Sequence, residues 1–283
     1  MTEGQEVSTW VDRAMYAAEP MPDIMPRVTL LTATPDPLGA MCAFTSMYEG
    51  RVVRDLMELT DDDRRRAWEQ ANATHLKAPL EAVDLHFMVE GVTRAFTHQM
   101  VRQRTAVYAQ ESMRFAVKED IAARPGPLTA TDPAARKDWE QAVEAVWLAY
   151  KTLIAHGVPA EEARGLLPHD TLTRLNYKTN LRNLVDHLGN RLCTQAQFEW
   201  RMVGTGIVQA IAEYRGPWEG ADWQWRHIAS SGLFKPVCFA AGRCPFKADF
   251  DRGCTIRGRM DSGRQDEVRD EEWMTDPTAG WVR

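Results

Sequence analysis

The sequence predicts an α/β (α+β) chain built around one principal domain, and three observations carry that prediction. A short β-branched run, Val28 to Pro35, reads as an early strand. Several later segments repeat their apolar residues at helical spacing. Beyond Pro217 the periodicity fades, and Gly, Asp, Arg and Trp are interspersed. The principal domain is therefore placed at residues 26–215, with an irregular C-terminal extension of unassigned role over 216–283.

Taken in order, VTLLTATP is halted by Pro35-Asp36-Pro37, which breaks both strand and helix. Met41 to Leu59 has helical spacing. Asp61-Asp62-Asp63 reads as the start of a further helix, because negative charge is favoured at that end of the helix dipole. Leu85 to Phe96 mixes strand alternation with a helix entry, and Gly91 is read as the change-over. Asp132 to Gly157 is an amphipathic helix with an apolar stripe of Trp139, Ala142, Val143, Val146 and Tyr150. A short helix follows, ended by Pro168, and two more are separated near Leu192 to Thr194. No internal repeat is present.

The 283 residues are 44% hydrophobic and 26% charged, the balance of an ordinary globular protein rather than a disordered chain. No run of 18 apolar residues occurs and the first twenty residues are polar and acidic, so neither a membrane span nor a secretory signal is expected. The net charge of −6 argues against a nucleic-acid polymer as partner. Five cysteines are an odd number and too sparse for a disulfide scaffold, which makes a cytoplasmic location the simplest expectation.

Chemistry concentrates in His98 to Phe115, HQMVRQRTAVYAQESMRF, where Arg102, Arg104 and Arg114 stand among the hydroxyls of Thr105, Tyr108 and Ser112. Guanidinium groups present a planar fork of donors that matches phosphate and carboxylate oxygens. Gln99 and Arg102 lie three apart and share a helix face. The plain alternative is a solvated basic helix followed by a polar turn.

The frame Arg102-Gln103-Arg104, seven residues, Ser112, Met113, Arg114, Phe115 closely resembles the signature of the flavin-dependent thymidylate synthases. Three other segments resemble that family: VTLLTATPDP, VPAEEARGLLP and TNLRNLVDHLGNR. The resemblance implies methylation of dUMP at uracil C5, with 5,10-methylenetetrahydrofolate as carbon donor, reduced FAD as hydride source and NADPH as reductant. It implies a homotetramer with composite sites. Carried over residue by residue, Gln99, Arg102, Ser112, Arg114 and Arg164 would hold dUMP. Arg102, Gln103, Arg104, Gln110, Asn180, Arg182 and Asp186 would contact FAD. Arg191 would activate the uracil.

The sequence also departs from the family. Gln103 replaces the motif His, Val107, Ala109 and Gln110 replace polar or acidic residues, and Ala78 and Ala82 stand where Ser and His would be. These departures keep open a dUMP hydroxymethylase, in which water captures the methylene, and a non-catalytic nucleotide-binding or RNA-binding relative.

A helical projection adds one geometric expectation. At about 100° per residue, Arg182 and Asp186 share one face, while Asn180 and Arg191 point to the opposite side. An unbroken helix therefore cannot serve flavin and nucleotide in one pocket. Either Gly189 bends it or the helix lies between pockets shared by subunits.

Cys238, Cys244 and Cys254 have intervening gaps of five and nine residues and lack a Cys-x2–4-Cys knuckle. They are read as free thiols, with no metal assigned; a metal or iron–sulfur site would need Cys193 or His227 as a fourth ligand, supplied by the fold. His75, His86, His98, His169 and His187 show no metal spacing. Gly204 and Gly206 sit in a helical pattern without the GxGxxG frame and are given no dinucleotide role.

Overall fold

The structure is a computed structural model and describes residues 25–119, 122–217, 220–246 and 254–274. The polar N-terminal stretch read as lacking a leader lies outside the described residues. Four strands, β1 (Arg27–Ala33), β2 (Asp84–Thr93), β3 (Val107–Gln110) and β4 (Leu172–Asn180), form one antiparallel sheet in the order β1-β2-β4-β3. Seven longer helices accompany it: α1 (Pro37–Tyr48), α2 (Asp61–Ala73), α3 (Arg94–Met100), α4 (Pro133–Ala155), α5 (Leu181–Arg191), α6 (Phe198–Glu213) and α7 (Asp222–Ser230). Shorter helical turns fill the connections and the C-terminal part.

β1 falls where its β-branched run predicts. α1 starts earlier than the spacing suggests, at Pro37, because the Asp36 carboxylate accepts the Gly39 N–H at 2.9 Å and caps it. It also stops earlier, at Tyr48. The carbonyls of Leu56 and Leu59 accept from Arg64, so this stretch folds across onto α2 instead of continuing as helix. α2 begins at the aspartate run, held by a capping box between Thr60 and Asp63.

Gly91 does not mark the strand-to-helix change. It sits at φ +66° where the β2–β4 register shifts between Val89 and Val92, the position of a bulge that a residue with a Cβ would strain. The change comes at Thr93, whose hydroxyl accepts the Phe96 N–H at 3.1 Å. β3 and β4 were not predicted. In β4, Thr173, Leu175, Tyr177 and Thr179 are buried while Arg174 and Lys178 are exposed. The alternation is regular, but half of its inward positions are threonines, which hides it from an apolar count.

The inner face of the sheet and the helices share one apolar core. Phe87, Tyr177 and Tyr108 occupy facing positions on β2, β4 and β3, and their rings stack at 6.0 and 5.5 Å between centroids. Leu184 and Leu188 of α5 and Trp200 and Ile207 of α6 pack beneath them. Trp225, Met260 and Trp273 belong to the same core, so the C-terminal part is built onto the principal domain. Burying each such large side chain contributes about 1.5–3 kcal/mol. At Gly204 a Cβ would lie 2.8 Å from Leu192 Cδ2; the glycine lets the end of α5 approach α6. On α4, by contrast, Tyr150 is the only buried residue of the predicted stripe.

Candidate active site

The site begins where β2 hands over to α3. Glu199, in the first turn of α6, accepts from the Thr93 N–H at 2.7 Å and the Thr93 hydroxyl at 2.6 Å, and pairs with Arg124. Arg124 also donates to the Gly91 carbonyl at 2.8 Å. This buried group locks the start of α3 to the start of α6. Burial pulls Arg124 below the ordinary arginine range and pushes Glu199 above that of a carboxylate, each opposed by the other's charge.

Fixed in this way, α3 presents Gln99, whose amide donates to Gln197 Oε1 at 2.7 Å. Arg191, the last residue of α5, lies with its guanidinium 5.1 Å from the Trp200 ring. Gln99, Arg191, Gln197 and Glu199 border one cleft of about 580 Å³. Burial lowers the pKa of Arg191, and the Tyr108 hydroxyl raises it slightly in return. Beside it, His187 is pulled down to about 4 by burial and then by Arg191, so it is neutral near pH 7. Arg191 thus supplies positive charge at this point of the cleft, where partial burial strengthens electrostatic interactions.

Gln103 is buried, and both ends of its amide are used. Its Oε1 accepts from the Tyr177 hydroxyl at 2.8 Å, and its Nε2 donates to the Asn183 carbonyl at 3.2 Å. That anchor pins the turn to the sheet and to α5, while the flanking Arg102 and Arg104 are exposed. Gln110 turns back to donate to Thr97 Oγ1 at 2.9 Å.

A second positive cluster forms around Glu161. Arg114 pairs with its carboxylate at 2.9 Å and Arg164 donates to its carbonyl at 3.1 Å. Arg94 lies close enough to Arg164 that, after burial, the neighbouring charge is the next cause lowering its pKa. The Ser112 hydroxyl accepts the Arg114 N–H at 3.2 Å, a turn contact with no base to activate it.

The third group sits at the opposite end of α5. Asn180 caps the helix by accepting the Asn183 N–H at 2.9 Å, Arg182 pairs with Glu81 at 2.7 Å, and Asp186 is 4.0 Å from Arg182. α5 runs unbroken as α-helix from Leu181 to Arg191, through Gly189. Nine residues at 1.5 Å each put Arg182 and Arg191 about 13 Å apart along the axis. Gln99 and Arg191 are therefore brought together, and Arg114 with Arg164, while Arg182 and Asp186 stay away from the cleft.

Sequence reasoning missed Arg94 and Gln197 as site neighbours, and singled out Tyr108 only as a hydroxyl among the motif arginines. Arg94 opens α3, four residues before His98 and just ahead of the arginine-dense segment, and that density was the available signal. Gln197 stands in no motif; only the approach of α6 to α3 reveals it.

The sequence pattern of the family described as thymidylate synthase complementing protein matches residues 29–214, well over half of the chain. The chain belongs to this family. It is similar to the flavin-dependent thymidylate synthase of Geobacter sulfurreducens, 33% identical over 65% of this chain and 82% of the relative. It is 34% identical to that of Nitratidesulfovibrio vulgaris over 68% of this chain and 85% of the relative. With that of Pyrococcus abyssi it shares 28% identity over 83% and 96% respectively. Membership of the thymidylate synthase complementing protein family makes the chain an enzyme of mixed helix and antiparallel sheet, and every residue of the three groups falls inside the matched span.

Proposed function

We propose that this enzyme methylates dUMP to dTMP, taking carbon from 5,10-methylenetetrahydrofolate and hydride from reduced FAD, with NADPH as the reductant. The observation that carries this reading is Arg191, a half-buried guanidinium in the cleft bordered by Gln99 and Gln197. Uracil C5 is a weak nucleophile. Arg191 beside the N3–O2 edge stabilises the negative charge that develops there as C5 attacks the methylene carbon. The two amides suit the donor and acceptor pattern of a uracil edge. Arg94, Arg114 and Arg164 supply the positive charge that a nucleotide phosphate requires. Ser112 adds a hydroxyl beside them.

The residues present also fit a flavin dinucleotide. Arg102 and Arg104 are exposed and have no carboxylate partner among the described residues, so their charge is available to a pyrophosphate. Arg182, Asn180 and Asp186 offer further polar contacts, while Gln103 and Gln110 act by holding the backbone that carries the arginines. When bound, reduced flavin supplies the hydride that completes the methyl group. The placement of Arg182 and Arg191 at opposite ends of α5 supports sites shared between subunits, and the largely uncovered α4 supports a homotetramer. No helix among the described residues is long and apolar enough to cross a membrane. The enzyme and its small-molecule partners are assigned to the cytoplasm on the odd, sparse cysteines of the sequence. The catalytic unit is assigned to residues 26–215.

Incubating the purified enzyme with dUMP, methylenetetrahydrofolate, FAD and NADPH tests the proposal by product analysis. Formation of dTMP is expected. Hydroxymethyl-dUMP would instead establish the hydroxymethylase reading, which the lack of polar groups at Ala78 and Ala82 favours. Bound nucleotide without product would establish a non-catalytic relative.

A further inference from the structure

Four of the five cysteines meet in the folded chain. Cys193 follows Arg191 by two residues, Cys238 lies in the short helix Val237–Ala241, and Cys244 and Cys254 come from the segments after it. All four line one small cavity whose remaining wall includes Val237, Ile256 and Met260. All are free thiols. Each of Cys193 and Cys238 interacts electrostatically with both Cys244 and Cys254. Cys238, Cys244 and Cys254 lie beyond residue 214, outside the family match.

The sequence spacing favoured free thiols because it lacks a Cys-x2–4-Cys knuckle, and left the fourth ligand to be chosen by the fold between Cys193 and His227. The fold supplies it as Cys193. Four thiols lining one cavity form a ligand set that a bound cation or cluster can hold as thiolates.

Two observations distinguish the kind of centre. A single zinc ion draws its ligands to about 2.3 Å and is usually gripped by a Cys-x2–4-Cys pair. That pair is missing here. The thiols instead surround a void, as the ligands of a polynuclear cluster do. Cys244 is followed by Pro245, a pairing that recurs at cluster-ligating cysteines.

We propose that Cys193, Cys238, Cys244 and Cys254 bind a four-iron, four-sulfide cluster. Thr194 and Gln195 line both this cavity and the cleft of Arg191. The cluster therefore fastens the C-terminal part to the back of the turn that joins α5 to α6, and holds in place the wall that carries Arg191 and Gln197. The Thr194 hydroxyl donates to Cys254 Sγ at 3.1 Å, a second-sphere contact of the kind that tunes such centres.

The test is metal and sulfide analysis of the full chain purified without oxygen, followed by paramagnetic resonance after dithionite reduction. About four iron and four acid-labile sulfide per chain are expected, with the signal of a reduced cluster. Zinc at about one per chain without sulfide would overturn the cluster, and absence of both iron and zinc would overturn the site. Neither result depends on flavin, so failure here is separable from failure of the proposed reaction. Cys254→Ser should lose most of the iron, whereas Cys42→Ser, outside the cavity, should keep it. Full iron in Cys254→Ser would also count against the assignment.

Discussion

The arginines of this protein fall into two populations that the fold treats oppositely. Arg64 and Arg124 are buried, and each is surrounded by acceptors from its own chain: Asp36 with the Leu56 and Leu59 carbonyls for the first, Glu199 and the Gly91 carbonyl for the second. Arg102 and Arg104, at the centre of the family signature, are exposed and have no such partner among the described residues. Arg114 and Arg164 share the single residue Glu161. A buried guanidinium must be paired or the fold fails; an exposed one need not be. The difference separates charge consumed by the scaffold from charge left for a ligand. Arg191 lies between the two, half-buried against an aromatic face and with no carboxylate paired to it among the described residues.

The largest effect should come from the scaffold population. Glu199→Ala leaves Arg124 buried opposite an apolar side chain and releases Thr93, and should cost about 3–5 kcal/mol of stability. Glu199→Gln keeps one acceptor oxygen, enough for the Thr93 N–H and for Arg124 at the Oε1 position, and should cost less. Urea midpoints of the two variants measure this. A loss below about 1 kcal/mol for Glu199→Ala would place the pair with exposed ion pairs, contrary to the comparison.

Arg191→Ala should act on turnover far more than on stability. Removing one donor to a developing anion lowers kcat by about 10²–10³-fold, or about 2.7–4 kcal/mol. The bound-flavin spectrum should survive, since Arg191 is at the opposite end of α5 from Asn180 and Arg182. Arg191→Lys should not restore the rate fully, because an ammonium lacks the planar fork and packs less well on Trp200. Full activity in Arg191→Ala would remove it from the reaction.

How much of this was legible in the sequence follows the same division. The motif arginines, the helix from Asn180 to Arg191 and the opposed directions of Arg182 and Arg191 were readable, because spacing along one helix fixes direction. The early strand and the helix start at Asp61 were readable from local propensity and capping. β4 was not, since threonines fill half of its inward positions. Nor was the Thr93–Glu199–Arg124 group, whose members are separated by 31 to 106 positions in the chain and owe their contact to packing of α6 against β2. For the same reason the choice of Cys193 over His227 to join Cys238, Cys244 and Cys254 was left to the fold. Long-range burial of polar groups leaves no periodic trace.

The smallest effect should be that of Arg114→Ala. Its ion pair with Glu161 joins two side chains that are each about half exposed, 48% and 51%, so its loss should change stability by no more than about 1 kcal/mol. Its charge is nonetheless directed at the proposed phosphate site, where a charge-assisted hydrogen bond contributes about 1.5 kcal/mol at the low end, roughly tenfold in affinity. KM for dUMP should rise about tenfold while kcat changes little, because the phosphate contact is the same in ground and transition states. Glu161→Gln should act in the opposite direction, since it removes the carboxylate that competes with phosphate for Arg114. If both variants leave KM unchanged, the Arg94–Arg114–Arg164 cluster is a solvated surface feature and belongs with neither population.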